Sequence, residues 1–223
     1  MTDPETGPGN SLGRRSRSLA DRLGDIDIYL FDQMLRGRVT TDMRVLDAAC
    51  GRGRNILYLM RGGAEVFGVD TNPENIEEVR SMAAREAPHL PADNFRVERI
   101  QDLTLPDRSF DAVICCAVLH FAADEEDFEA MLSQLWRVLK AGGFLFSRLA
   151  STIGIEDRVG HLEGRWYVLP DGTDRFLVDE AYLLEATDRL GATLLDPIKT
   201  TNVQNLRCMT TWCLRKPGKE RDG

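Results

Sequence analysis

Three aspartates close short apolar runs in the first half of this chain: Asp47 in "MRVLDAA", Asp70 in "AEVFGVD" and Asp102 in "RIQDLTLP". Between the first two stands Gly51-Arg52-Gly53, and a helical pattern follows. Carboxylates at the ends of successive strands can accept hydrogen bonds from ribose hydroxyls or a base edge, or face a cation. A phosphate-cradling loop needs Lys and then Ser or Thr after its second glycine, and none stands there. The dinucleotide pattern G-x-G-x-x-G is met at Gly51 and Gly53, but its third position is Ile56. A residue of that size would hold the helix off the strand and narrow the room for a pyrophosphate. Three carboxylates around one crevice would also repel it. They suit a positively charged nucleoside without phosphates.

The elements that must position these groups alternate from residue 43 to 149. "MRVLDAA", "AEVFGVD", "NFRVERI", "FDAVICCAVL" and "GFLFSRLA" read as strands. "GRNILYLMRGG", "PENIEEVRSMAAREA" and "DEEDFEAMLSQLWRVLKAGG" read as helices, the second opened by Asn72 and by Pro73 at the favoured first position. Strands separated by helical crossovers imply an α/β fold with a mostly parallel sheet and helices on both faces. Beyond Ala150 the pattern changes. "RWYVLPDGTDRFLVDE" reads as a hairpin turning at Pro170-Asp171-Gly172, within a cap or insertion over 150–178. A last helix, "DEAYLLEATDRLG", and two strand-like runs, "ATLLDPIKT" and "CMTTWCLRK", fill 179–217, the runs expected to be antiparallel. "DIDIYLFDQMLRG" is expected to form a helix outside the sheet. The reading is one domain over 21–217, after a flexible tail at 1–20.

The formal charge of −8 works against capture of nucleic acid. Inside the tail, "RRSRS" reads as solvated chain in preference to a nucleic-acid arm. No apolar run approaches the ~18 residues of a membrane-spanning helix, and the start has no signal-type apolar region. Cys50, Cys115, Cys116, Cys208 and Cys213 are too few and too irregular for a disulfide framework, so a reduced cytosol is the expected setting. No metal site is expected.

In order along Val45–Leu149, these motifs resemble those of the class I S-adenosylmethionine-dependent methyltransferases. "VLDAACGRGRN" resembles the family's D/E-x-G-x-G-x-G, departing from it at Ala49, where glycine is usual. "GVDTNPENIEEVR" is similar to its second motif, and "QDLTLPDRSFDAVICCAVLHF" to the stretch that contacts adenine and then flanks the methyl donor. "GRGRNILYLMRGGAEVFGVDTN" is similar to the tellurite-resistance and related small-molecule branch. The resemblance implies a Rossmann-like, doubly wound, seven-stranded sheet with an antiparallel last strand and a small cap. It implies S-adenosylmethionine as cofactor, with Asp70 on the ribose and Asp102 at the adenine amino group. The remaining cofactor contacts would come from Asp47, Ala49, Cys50, Gly51, Gly53, Asn55, Thr71, Asn72, Leu103, Cys116 and Ala117. Asp111, at a strand start, reads as structural.

Methyl transfer needs position and a dry site, and a general base only if the nucleophile arrives protonated. His120, in "AVLHF", is the candidate base, with a packed ring as its bland counterpart. Cys115 and Cys116 read as small core residues. Tyr29, Phe31, Arg148, His161, Arg165, Trp166 and Tyr167, with His120, are the candidates for a small, flat or anionic acceptor. A monomer or homodimer is expected. The competing readings are an NAD(P)-dependent oxidoreductase and a non-catalytic module that binds S-adenosylmethionine.

Overall fold

A computed structural model describes residues 18–218 of the 223. Two short helices come first, α1 (Leu19–Leu23) and α2 (Ile28–Leu35), capped by Ser18 and Asp27. Helix α1 begins within the stretch expected to be tail, where Ser18 and Asp21 form a capping box that satisfies the helix's first amides. Most of that tail, including Arg14 to Arg17, lies outside the described residues.

Five parallel strands follow: β1 (Arg44–Ala48), β2 (Glu65–Asp70), β3 (Phe95–Val97), β4 (Phe110–Cys116) and β5 (Leu139–Ser151). They alternate with α3 (Leu57–Gly62), α4 (Pro73–Glu86) and α5 (Glu125–Val138). The small sheet comprises β6 (Gly160–Glu163), β7 (Trp166–Val168) and β8 (Asp174–Phe176). Then come α6 (Glu180–Arg189), the two-residue β9 (Thr193–Leu194), β10 (Lys199–Val203) and β11 (Arg207–Arg215). The main sheet runs β3-β2-β1-β4-β5-β11-β10, with β11 antiparallel to both neighbours and β9 added beside it. This is the expected seven-stranded, doubly wound arrangement, extended by one two-residue strand.

Side chains alternate between two cores, as a sheet buried on both faces requires. Leu46, Val113 and Leu145 pack on one face with α5 and α6, while Val45, Ile114 and Phe146 pack on the other with α3 and α4. Strand order reverses between β1 and β4, and in open α/β sheets the crevice beyond that switch point takes the ligand. The hairpin expected from Pro170-Asp171-Gly172 is β7–β8, closed by Leu169 N–H on Thr173 O at 2.9 Å, with Gly172 at φ 81°. It carries a third strand, β6, whose polar, exposed residues gave no apolar period. Asp111 sits at the opposite rim, accepting from Arg44 N–H at 2.9 Å and from Lys140 at 2.7 Å, the structural role expected for it.

Candidate functional site

The loop after β1 is held by one carboxylate. Asp70 accepts the N–H of Gly51 at 2.9 Å on Oδ2, and the N–H of Asn72 at 2.9 Å and Asn75 Nδ2 at 3.1 Å on Oδ1. Cys50 N–H donates to Val69 O at 2.9 Å, and its thiol is buried against Gly68. Ala49 lies at φ 63°, where only glycine is free of Cβ strain. Gly51, at φ 52°, has open space where a Cβ would stand, whereas a Cβ on Gly53 would come within 2.4 Å of Met82. The first glycine leaves a cradle open; the second lets α4 approach.

Asp47 is 1% exposed, and among the described residues neither carboxylate oxygen has a hydrogen-bond partner. Burial pushes its carboxyl up to about 8, against the pull of Arg54 and with the push of Asp70.

Beyond β1 and β2 lies a cavity of about 260 Å³, lined by Ala49, Asp70, Thr71, Ile100, Gln101, Val118 and others. Asp102 is exposed and turned away from it; Gln101 takes the wall position instead. Both belong to the 3-10 turn Ile100–Asp102, where successive side chains diverge by about 120°. Of the two, only Gln101 lines the cavity. Leu103 is core, its carbonyl accepting Arg137 at 2.8 Å. Asn72 caps α4, accepting the Glu74 N–H at 2.9 Å. Asn55 accepts the Asp27 N–H at 3.1 Å and so fastens the N-terminal segment.

A second cavity, about 300 Å³, opens beyond β4 and β5 and is lined by Ala117, His120, Arg148, Leu169, Arg175, Arg207 and others. The turn after β4 separates the two: Ala117 and His120 face this cavity, Val118 and Phe121 the first. Ala117, at φ 61°, makes the sharp bend, its N–H donating to Arg148 O at 2.7 Å. His120 is 7% exposed, and its Nδ1 accepts the backbone N–H of Ala150 at 3.2 Å. The ring proton is therefore on Nε2. Burial, then the charge of Arg175, lowers this histidine to about 4, so it is neutral near pH 7. A neutral ring with Nδ1 engaged and Nε2 protonated offers a donor to this cavity.

Arg148 pairs with buried Asp27 at 3.0 Å and lies over the Tyr29 ring at 4.9 Å. Tyr29 OH is hydrogen-bonded to Thr201. Cys116 Sγ lies 3.7 Å from Asp27 and from Arg54, its thiol pushed up to about 12 by burial; Cys115 is raised too. Phe31 is half-buried on α2 and lines neither cavity.

The other cap candidates are placed elsewhere. His161 is exposed, bonding Gly164 O at 3.0 Å and packing edge-on to Tyr167. Arg165 pairs with Asp179 at 3.0 Å and lies over the Tyr182 ring, and Trp166 donates to Ala123 O at 2.6 Å. Arg165 and Trp166 line a third cavity, about 780 Å³, between the small sheet and the start of α5, apart from the first two. Asp27, Gln101, Arg175 and Arg207 were not singled out from sequence. Only Asp27 carried a signal, as the N-cap of the helix in "DIDIYL". Among the described residues no cluster of three or more His, Cys, Asp or Glu could hold a metal ion, and no helix is long and apolar enough to cross a membrane.

Residues 46–147 match the family described as a methyltransferase domain. This segment is a methyltransferase domain of the S-adenosylmethionine-dependent class I family. The chain is 29% identical over 160 residues to a ubiquinone biosynthesis O-methyltransferase of Mesorhizobium japonicum, covering 69% of this chain and 61% of that one. A Xanthomonas oryzae enzyme of the same name is 34% identical over 104 residues, 46% of this chain and 41% of that one. The chain thus spans less than two thirds of these curated relatives. In fold, the chain is similar to a Methanosarcina mazei structure described as a SAM-dependent methyltransferase. Their TM-score is 0.68 at 21% identity, over 83% of this chain and 98% of that one. A Burkholderia thailandensis 1,6-didemethyltoxoflavin-N1-methyltransferase, with its substrate and S-adenosylhomocysteine bound, gives a TM-score of 0.62. Its identity is 21%, over 83% of this chain and 74% of that one.

Proposed function

We propose that this chain transfers the methyl group of S-adenosylmethionine to a small-molecule acceptor. The observation that carries the reading is the shared wall, Ala117–Phe121, between a cavity suited to a nucleoside and a second cavity of small-molecule size. When bound, S-adenosylmethionine supplies an electrophilic methyl group, its C–S electrons staying on sulfur while an acceptor lone pair forms the new bond.

The residues fit that cofactor. Asp70 keeps lone pairs for ribose hydroxyls after its backbone contacts. Gln101 donates Nε2 to Asp127 at 2.6 Å, which leaves its carbonyl for an adenine amino group. Asp47 brings an uncompensated buried carboxyl to a ligand carrying positive charge. The turn after β4 holds donor and acceptor on its two sides, so catalysis rests on positioning. A relative named for ubiquinone biosynthesis and a structural neighbour with 1,6-didemethyltoxoflavin bound support an acceptor of small-molecule class.

Calorimetry with S-adenosylmethionine and S-adenosylhomocysteine tests the cofactor, and a labelled-methyl screen of small acids, phenols and amines tests the transfer. Absence of binding by a folded sample at millimolar ligand overturns the proposal.

A further inference from the structure

The second cavity has a charge pattern opposite to that of the chain. A protein of formal charge −8 places three arginines, Arg148, Arg175 and Arg207, and one carboxylate, Asp171, around about 300 Å³. Two of the arginines are already engaged: Arg148 with Asp27 at 3.0 Å, and Arg207, half-exposed at the rim, with Asp171 at 3.6 Å. Arg175 is different. Its Nη1 donates to Asp174 O at 2.6 Å and its guanidinium lies 4.8 Å from the Phe121 ring centre, but among the described residues no carboxylate comes within ion-pair distance. The backbone and the ring hold the guanidinium in place and leave most of its five N–H groups without an acceptor.

A second donor stands beside it. His120 packs on the same Phe121 ring at 4.6 Å, and among the described residues its Nε2–H meets no acceptor. The remaining wall includes Ala117, Ala150, Leu169 and Met209, which is apolar. A cavity with two preset donors at one side and apolar walls elsewhere matches an organic molecule with one anionic end.

We propose that the methyl acceptor is a small organic molecule bearing an oxyanionic group, a carboxylate or a phosphate, held by Arg175 and the Nε2–H of His120. This rests on the methyl-transfer reading and deepens it. The oxyanion is the handle by which the acceptor is oriented. His120 is a binding donor, and an acceptor proton, where there is one, leaves to solvent.

The test is calorimetric titration of the protein saturated with S-adenosylhomocysteine, using benzoate against benzamide and phenyl phosphate against phenol. At least one anion is expected to bind about tenfold or more tightly than its neutral counterpart, since charge-assisted contacts are roughly twice as strong as neutral ones. Whichever anion shows the preference identifies the oxyanion. Arg175→Gln should abolish the preference while S-adenosylhomocysteine binds as before, which certifies the fold, and Arg175→Lys should restore part of it. Equal binding of anion and neutral partner, or a preference that survives Arg175→Gln, overturns this proposal and leaves the cofactor reading standing. Failure of S-adenosylhomocysteine to bind the folded protein overturns both.

Discussion

Asp27 and Arg148 meet at 3.0 Å although 121 residues separate them. The aspartate also caps α2, accepting the Tyr29 N–H at 2.9 Å, so one carboxylate locks the N-terminal helix to the carboxyl end of β5. Both side chains are largely buried, at 4% and 17% exposure. Asp27→Ala removes the cap and strands a buried guanidinium, so it should cost about 3 kcal/mol. Denaturant unfolding of Asp27→Ala, Arg148→Met and the double variant measures the coupling. Additive losses would show that the pair contributes nothing of its own.

Cofactor affinity is expected to depend on pH through Asp47. Its carboxyl titrates near 8 in the unliganded protein, and a cationic ligand favours the ionised form. Binding below pH 8 therefore releases a proton, and affinity for S-adenosylmethionine should fall by up to about tenfold per unit as pH drops. Asp47→Asn should flatten that part of the profile in calorimetry. The same group sets a stability trend. Its folded value lies above the unfolded 3.8, so its contribution is fully present below about pH 4 and is lost as pH rises through about 8. The melting temperature of Asp47→Asn relative to wild type should accordingly rise across that window.

The two loop glycines should fail in different ways. Gly51→Ala puts a methyl group into open cradle space at φ 52°, so it should weaken S-adenosylhomocysteine binding with a stability cost of about 1 kcal/mol. Gly53→Ala meets the flexible end of Met82 and, at 3.2 Å, Val79 on α4, so beyond the strain of its φ of 79° it should cost about 1 kcal/mol more while leaving the cradle open. Ala49→Gly, which relieves the φ of 63°, should stabilise by about 1 kcal/mol. Thermal melts with and without ligand separate these outcomes.

Gln101→Ala should weaken S-adenosylhomocysteine binding by about tenfold through a lost hydrogen bond, while Asp102→Ala should leave it unchanged. The reverse order in calorimetry would restore Asp102 to the adenine contact.

The cofactor half was readable because its signals are local. Asp47, Gly51, Gly53 and Asp70 lie on a strand, a turn and the next strand, and the two-residue period on buried strands put them at one rim. Where the local period is irregular the cavity wall was less legible: "RIQDLTLP" forms a 3-10 turn, and one residue there turns a side chain by about 120°. The cap was legible as a turn but not as contacts. Trp166 and Arg165 were attractive candidates by type, and both are engaged by Ala123 and Asp179.

The amino-acid sequence by itself determined the alternating strands and helices, the glycine loop and the carboxylates at the sheet's rim, since hydrophobic period and turn chemistry act over a few residues. Only the tertiary structure decided what stands around the second cavity. His120, Arg148, Arg175 and Arg207 come from four separate segments, and no spacing along the chain relates them. Their juxtaposition follows from β11 lying antiparallel beside β5 and from the small sheet folding over the rim, long-range packing that no local pattern records.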